Sequence, residues 1–239
     1  MLSAEQISDN YNKLIKFINV NFKDDRLQKL LKIYDEDFSE RLLMAPASAK
    51  VYFHSAFPGG YVHHVLNVIE NSILVSKLWE ERGEINNFTT EELLFTALNH
   101  DLGKLGTIDE AYYLETTNKW KIEHGEMYEF NVNINPYMEV ADRSIYTLQS
   151  YGIKLTPYEF LSIKLHDGLY AEANKDYYVT YSEYKQLKTN LPYIIHQADL
   201  MAARIEATQY KNYKQNIKNK SKIPDRYANL ISEVFNGVK

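Results

Sequence analysis

The sequence predicts an all-α bundle of helices carrying one small β-hairpin, and three observations support this. Apolar residues recur at i, i+3, i+4 through most of the chain. Proline and glycine punctuate these stretches at their ends. One segment, 111–130, instead places tyrosines and other strand formers around a polar turn.

Taken in order, Leu14, Ile15, Ile18, Phe22, Leu27, Leu30, Leu31 and Ile33 predict two amphipathic helices broken near Asn21. Pro46 and Pro58-Gly59-Gly60 bracket a turn-rich segment. A long helix over 61–82 follows, with Val62, Val65, Leu66, Ile69, Ile73, Leu74 and Leu78 apolar and Gly83 as its stop. Thr89-Thr90-Glu91-Glu92 supplies an N-cap and first-turn acids to a helix that runs through Leu93, Leu94, Ala97 and Leu98 into His100-Asp101, where Gly103 ends it. Tyr112, Tyr113, Leu114, Thr116, Trp120 and Ile122 flank Thr117-Asn118 as a short hairpin. Helices are predicted again over 143–151, over 157–166 with Thr156 as N-cap and Pro157 at the first position, and over 192–207.

Composition narrows the chemistry. With 239 residues, 45% of them hydrophobic and 25% charged, the chain has the balance of a globular protein with a sizeable core, which excludes disordered and collagen-like classes. Cysteine is absent, so disulfides, thiol catalysis and zinc–thiolate sites are excluded, and any metal must be held by His, Asp or Glu. The net charge of −5 argues against a dedicated nucleic-acid binder. Locally, Lys211, Lys214, Lys218, Lys220 and Lys222 lie in an acid-free stretch over 207–224, read either as a solvated helix or as a strip contacting phosphates. No apolar h-region opens the sequence and no stretch approaches a membrane span, which predicts a cytoplasmic protein with no membrane partner. The oligomeric state is left open.

Seven histidines are available, at 54, 63, 64, 100, 124, 166 and 196. The informative element is His100-Asp101-Leu102-Gly103-Lys104. Adjacent residues point about 100° apart on a helix, so His100 and Asp101 reach one ion only where the helix ends and the backbone turns. Imidazole and carboxylate without thiolate suit a first-row divalent ion with water in its open positions.

The order Pro46-Ala-Ser-Ala-Lys50, Gly59-Gly60, His64-Val-Leu-Asn-Val, His100-Asp101-Leu-Gly-Lys104, Lys164-Leu-His166-Asp167-Gly168 and His196-Gln-Ala-Asp199 resembles the HD-domain metal-dependent phosphohydrolase superfamily, whose signature is H…HD…D on a helical bundle. The stretch from Pro46 to His64 is similar to the catalytic domain of its 3′–5′ exoribonuclease branch. The resemblance covers roughly 46–206. It implies N-terminal helices over 1–45 packing on the core, a phosphohydrolase core over 46–206, and a lysine-rich helix or tail of the same domain over 207–239.

Carried over by position, the resemblance makes His64, His100, Asp101 and Asp199 the metal ligands. Mn, Co, Fe, Mg, Ni and Zn all suit such a set. His166 matches a further histidine of two-metal relatives, but Val140 stands where another such histidine would be, so one tightly held ion is expected and a second is weaker or absent. The expected reaction is hydrolysis of a phosphoester by an activated water, with Asp101 ligating and orienting. Lys104, Arg143 and Lys50 are candidates to neutralise the phosphoryl oxygens. His54 and His166 are candidates to protonate the leaving oxygen or bind phosphate. Asp167 would accept a hydrogen bond from substrate or orient a water, and His124, in His-Gly-Glu, would reach in from the hairpin. The tyrosine-rich run 169–178 and the hairpin are candidate walls for a base. The expected substrate is a nucleotide or related small phosphorylated molecule. Alternatives are a 3′–5′ exonuclease on short RNA or single-stranded DNA, an HD-fold oxygenase, and a nucleotide-sensing module.

Overall fold

A computed structural model describes residues 2–50, 53–214 and 225–237. Among these the chain is all-α apart from one two-stranded hairpin. Helix α1 (Ala4–Asn21) opens with a capping box between Ser3 and Gln6. The break expected near Asn21 lies there: Phe22 turns into the core and Asp24, the first residue of α2 (Asp24–Leu31), takes φ 51. A π-helical turn over 32–37 leads to α3 (Ser39–Met44).

Helix α4 (Gly60–Glu81) forms the centre of the bundle. It is apolar over most of its circumference, so it needs cover on several sides. That cover comes from α1, from α5 (Thr90–Asn99) and from α10 and α11, which are bounded below. Thr89 and Glu92 form the capping box that starts α5. Tyr34, fully buried, places its hydroxyl 3.0 Å from Asn99 Oδ1 and 3.2 Å from the Leu98 carbonyl, tying the N-terminal helices to the end of α5.

Two expectations are corrected here. Helix α5 ends at Asn99, before Gly103, because His100 and Asp101 already lie in the turn and a 3₁₀ segment over 102–105 follows. Gly103 is needed for close packing, since a Cβ there would sit 2.2 Å from the carbonyl oxygen of Val140. The hairpin pairs β1 (Tyr113–Glu115) with β2 (Tyr128–Phe130), in register Tyr113 to Phe130 and Glu115 to Tyr128. Its return strand is therefore later than expected. Asn118 caps a helix by accepting from the Lys121 N–H, so Trp120 and Ile122 belong to α6 (Lys119–Glu123) between the strands.

Helix α7 (Val140–Ser150) packs on the turn that carries Asp101. A Thr156–Glu159 capping box and Pro157 start α8 (Pro157–Leu165). The short α9 (Lys175–Tyr178) precedes α10 (Leu191–Lys214), which runs beyond the expected end at 207, and α11 (Asp225–Asn236) closes against α1 and α4. One continuous core runs from Leu14 to Phe235. Of the lysine-rich stretch, Lys211 is exposed on α10, whereas Lys218, Lys220, Lys222 and the side chain of Lys214 lie outside the described residues. Among the described residues, no helix is long and apolar enough to cross a membrane.

Candidate metal centre

Helix ends orient two histidines in the same way. His100 caps the C-terminus of α5 and His166 that of α8. Each donates its Nδ1–H to the carbonyl three residues back, Ala97 and Ile163 respectively, both at 2.8 Å, satisfying a carbonyl that the helix end leaves unpaired. His64, one turn into α4, has Nδ1 3.1 Å from the Glu206 carboxylate. All three rings thus turn Nε2 toward Asp101. The Nε2 atoms of His64 and His100 lie 3.6 and 3.4 Å from Oδ2 of Asp101, and that of His166 lies 3.4 Å from Oδ1. Asp199, on α10, adds Oδ1 at 3.1 Å from His64 Nε2 and 4.0 Å from His100 Nε2.

These side chains fit a metal ion. The Nε2 atoms of His64 and His100 are buried and have no hydrogen-bond partner, a costly state that a cation relieves. Ligand atoms of His64, His100 and Asp101 lie within 4.8 Å of one another, as do those of His166, Asp167 and Asp199. Asp101 faces both groups, one oxygen to each. Neutral imidazole nitrogens and carboxylates are the donor set expected for a divalent ion, or for one tight ion and a weaker second.

Charge is concentrated at this point. Burial disfavours the imidazolium of His64, but Glu206 and Asp199 outweigh it and raise its pKa to about 10. His166 goes up to about 9 because Asp167 and Asp101 likewise overcome burial. Asp101 and Asp199 are held well below the usual carboxylate range despite desolvation, Asp101 by Lys104, His100 and His166, and Asp199 by His64 and His100. The buried carboxylates thus favour positive charge on these imidazoles, and a divalent cation held here would supply that charge instead.

The other expected site residues divide into two sets. Lys104 lies 2.6 Å from Asp101 Oδ2, and Asp167, half-exposed, lies 3.7 Å from His166 Nε2. The His54 ring lies tilted against that of His64, centroids 4.5 Å apart, where burial and then the charges of His64 and Lys104 push its pKa down to about 3. These three line an open cleft of about 390 Å³ above Asp101 and Asp199. Three residues are not brought together with them. Arg143 is fully buried and donates to the carbonyls of Gly103 and Met138, with its guanidinium over Tyr112, so it braces the Asp101 turn from behind. Lys50 pairs with Glu126 at 3.4 Å. His124 is exposed, stacked on Trp120 and hydrogen-bonded to its carbonyl.

Sequence reasoning missed several residues. Glu206 supports His64, His196 lines the cleft with its Nδ1–H given to the His166 carbonyl, and Arg204 lines it while donating to Tyr170. The available signal was the spacing on α10: residues 196, 199, 200, 203 and 207 fall on one helical face. Phe53, Tyr113, Phe130 and Tyr170 form the aromatic walls, of which the hairpin and the 169–178 run were expected. Compared with known proteins, the chain matches no family model, no curated protein and no solved structure.

Proposed function

We propose that this protein is a metal-dependent phosphohydrolase of the HD type, acting on a phosphoester of a nucleotide. The observation that carries this reading is the convergence of three imidazole Nε2 atoms on the two oxygens of Asp101, at the floor of a cleft that also holds Lys104. His64, His100, Asp101 and Asp199 would hold the ion, with His166 and Asp167 available for a second. A divalent ion bound there supplies a Lewis acid and lowers the pKa of a coordinated water.

The chain supplies the rest. Lys104 carries a fixed positive charge, kept protonated because Asp101 outweighs its burial, and it faces the space where phosphoryl oxygens would sit. His54 stays neutral across the physiological range, so it contributes a hydrogen bond and not an acidic proton. Asp167, partly open to solvent, orients a water or accepts from a substrate hydroxyl. The aromatic walls give a base faces to stack on, and Arg204 at the cleft adds a second cation.

The test is phosphate release from a panel of nucleoside mono-, di- and triphosphates after chelation and re-addition of Mn²⁺, Co²⁺ or Mg²⁺. Metal-restored release from one nucleotide class, lost in Asp101→Ala, is expected. A metal-loaded protein silent across the panel would overturn the reading.

A second reading, a nuclease trimming short RNA or single-stranded DNA, is favoured by the exposed rings of Tyr170, Tyr177, Tyr181 and Tyr184 in the segment that leaves the cleft. It predicts binding that falls steeply with salt, in proportion to the phosphates contacted, whereas a mononucleotide does not give that slope.

A further inference from the structure

We propose that Glu206 is a positioning residue that fixes the His64 ring for the metal and ties it to the segment covering the cleft. This rests on the reading of the His/Asp cluster as a metal centre. Glu206 lies on α10 seven residues after Asp199, so a single helix face delivers both a candidate ligand and, two turns on, the support of another ligand. Its side chain is 2% exposed, yet it is fully partnered. Oε1 accepts from Asn67 Nδ2 at 2.8 Å and from His64 Nδ1 at 3.1 Å, while Oε2 accepts from the Ser55 hydroxyl at 2.6 Å.

Each donor has a separate consequence. The bond to His64 fixes Nδ1 as the protonated nitrogen, leaves Nε2 free toward Asp101 and Asp199, and raises the basicity of the ring. Asn67, three residues along α4, holds the carboxylate against the same helix. Ser55 belongs to the segment that carries Phe53 and His54 over the cleft. It has φ 45, a left-handed conformation that a non-glycine residue keeps only when its surroundings enforce it. Those surroundings are the Glu206 contact, the Ala47 N–H donating to the Ser55 carbonyl at 3.0 Å, and Gly60, where a Cβ would lie 1.9 Å from that same oxygen.

Glu206 could instead be a ligand, because atoms of His54, His64 and Glu206 also cluster. Binding an ion there would require Glu206 to give up three donors and His64 to lose the Nδ1 contact that aims Nε2 at Asp101. The geometry therefore assigns Glu206 to act through His64.

The test is Mn²⁺ titration calorimetry on the full chain, with Glu206→Gln, Glu206→Leu and Glu159→Gln. Glu206→Gln keeps an acceptor oxygen for His64 and Asn67, turns its amide N–H to the Ser55 hydroxyl and removes the charge, and Glu206→Leu removes the hydrogen bonds and the charge. Glu159, a buried carboxylate paired with Arg26 at the far end of α8 from His166, is the control for loss of a buried charge elsewhere. Affinity about 10- to 100-fold weaker in Glu206→Gln at unchanged stoichiometry, weaker still in Glu206→Leu and unchanged in Glu159→Gln, is expected. Parent-like affinity in Glu206→Gln would overturn the inference and leave the metal reading standing. Equal weakening in Glu159→Gln would reduce the effect to general loosening and overturn it too. A stoichiometry dropping from two to one, with the remaining site unaltered, would make Glu206 a ligand in its own right. A parent chain that binds no Mn²⁺ would remove the metal reading, and this inference with it.

Discussion

The ammonium of Lys104 lies 2.6 Å from Oδ2 of Asp101, the same oxygen that faces the unpartnered Nε2 atoms of His64 and His100. On the proposed reading, Lys104 and a divalent cation would therefore compete for one oxygen. A cation bound there would displace Lys104 from Oδ2 and leave its charge available to phosphoryl oxygens in the cleft. Lys104→Met is expected to lower kcat by about 10²- to 10³-fold, the usual cost of losing one preorganised charge-stabilising donor. Its Mn²⁺ affinity should equal or exceed the parent's, because the competitor is gone. Calorimetry alongside steady-state kinetics checks both halves; weaker Mn²⁺ binding would instead give Lys104 a role in holding the turn.

Arg143 makes the opposite prediction from the one its sequence position suggests. Buried behind the Asp101 turn, it satisfies the carbonyls of Gly103 and Met138 at 3.2 and 3.0 Å. Arg143→Met leaves the Met138 carbonyl without its donor and the Gly103 carbonyl with only the Gly106 N–H at 3.2 Å, so a loss of about 1–3 kcal/mol is expected in urea unfolding. Turnover should fall with little change in KM, since the ligand turn loosens while the cleft wall stays intact. A raised KM at parent stability would restore Arg143 to direct phosphate contact.

The difference between those two cations shows what the sequence could disclose. His100 and Asp101 were legible as a His-Asp pair placed where a backbone must turn, with Gly103 and Lys104 beside it, whereas His64, Asp199 and His166 stood out only through the order of motifs that the resemblance supplied. Arg143 was read as a phosphate-facing cation and Glu206 was passed over, because a lone charge in a helix does not disclose what buries it until the tertiary packing is known. His124 lay close to the motifs in sequence but not in space. The hairpin was found with its return strand displaced, since Asn118 serves a turn and a helix N-cap equally well, and it is the cap that forms here.

Glu92 provides a pH test away from the metal centre. Burial favours its neutral form, but the Thr89 backbone N–H at 2.9 Å and the hydroxyls of Thr156 at 2.7 Å and Thr89 at 3.1 Å outweigh this and hold its pKa below the usual carboxylate range. A depressed folded pKa contributes stability that is present above the unfolded value, about 4.3, and lost as pH falls through the folded value. The parent should therefore exceed Glu92→Gln by about 0.3–1 kcal/mol at pH 7, the usual worth of a first-turn acid. Urea unfolding at pH 7 and pH 3 should show that margin disappear in acid. A margin that grows in acid would reverse the sign of the shift.

If the proposed nucleotide reading holds, the hairpin decides whether the cleft reads a base. Tyr113 and Phe130 are paired in register, so their side chains share one face of the two strands, and their rings lie 5.4 Å apart. Both line the cleft, and Phe130 remains 47% exposed, which leaves part of its ring open to a ligand. Leu114, one residue from Tyr113, points to the opposite face and does not line the cleft. Stacking on an aromatic ring is worth about 1–3 kcal/mol per base. Phe130→Ala is therefore expected to raise KM for the preferred nucleotide by about five- to a hundredfold, with kcat within about twofold, because the lost contact acts equally in ground and transition states. Leu114→Ala should leave both constants at the parent's values. Comparable KM increases in the two variants would mean that the hairpin acts only by its fold, and an unchanged KM in Phe130→Ala would place the base elsewhere in the cleft, against Tyr170 and Arg204.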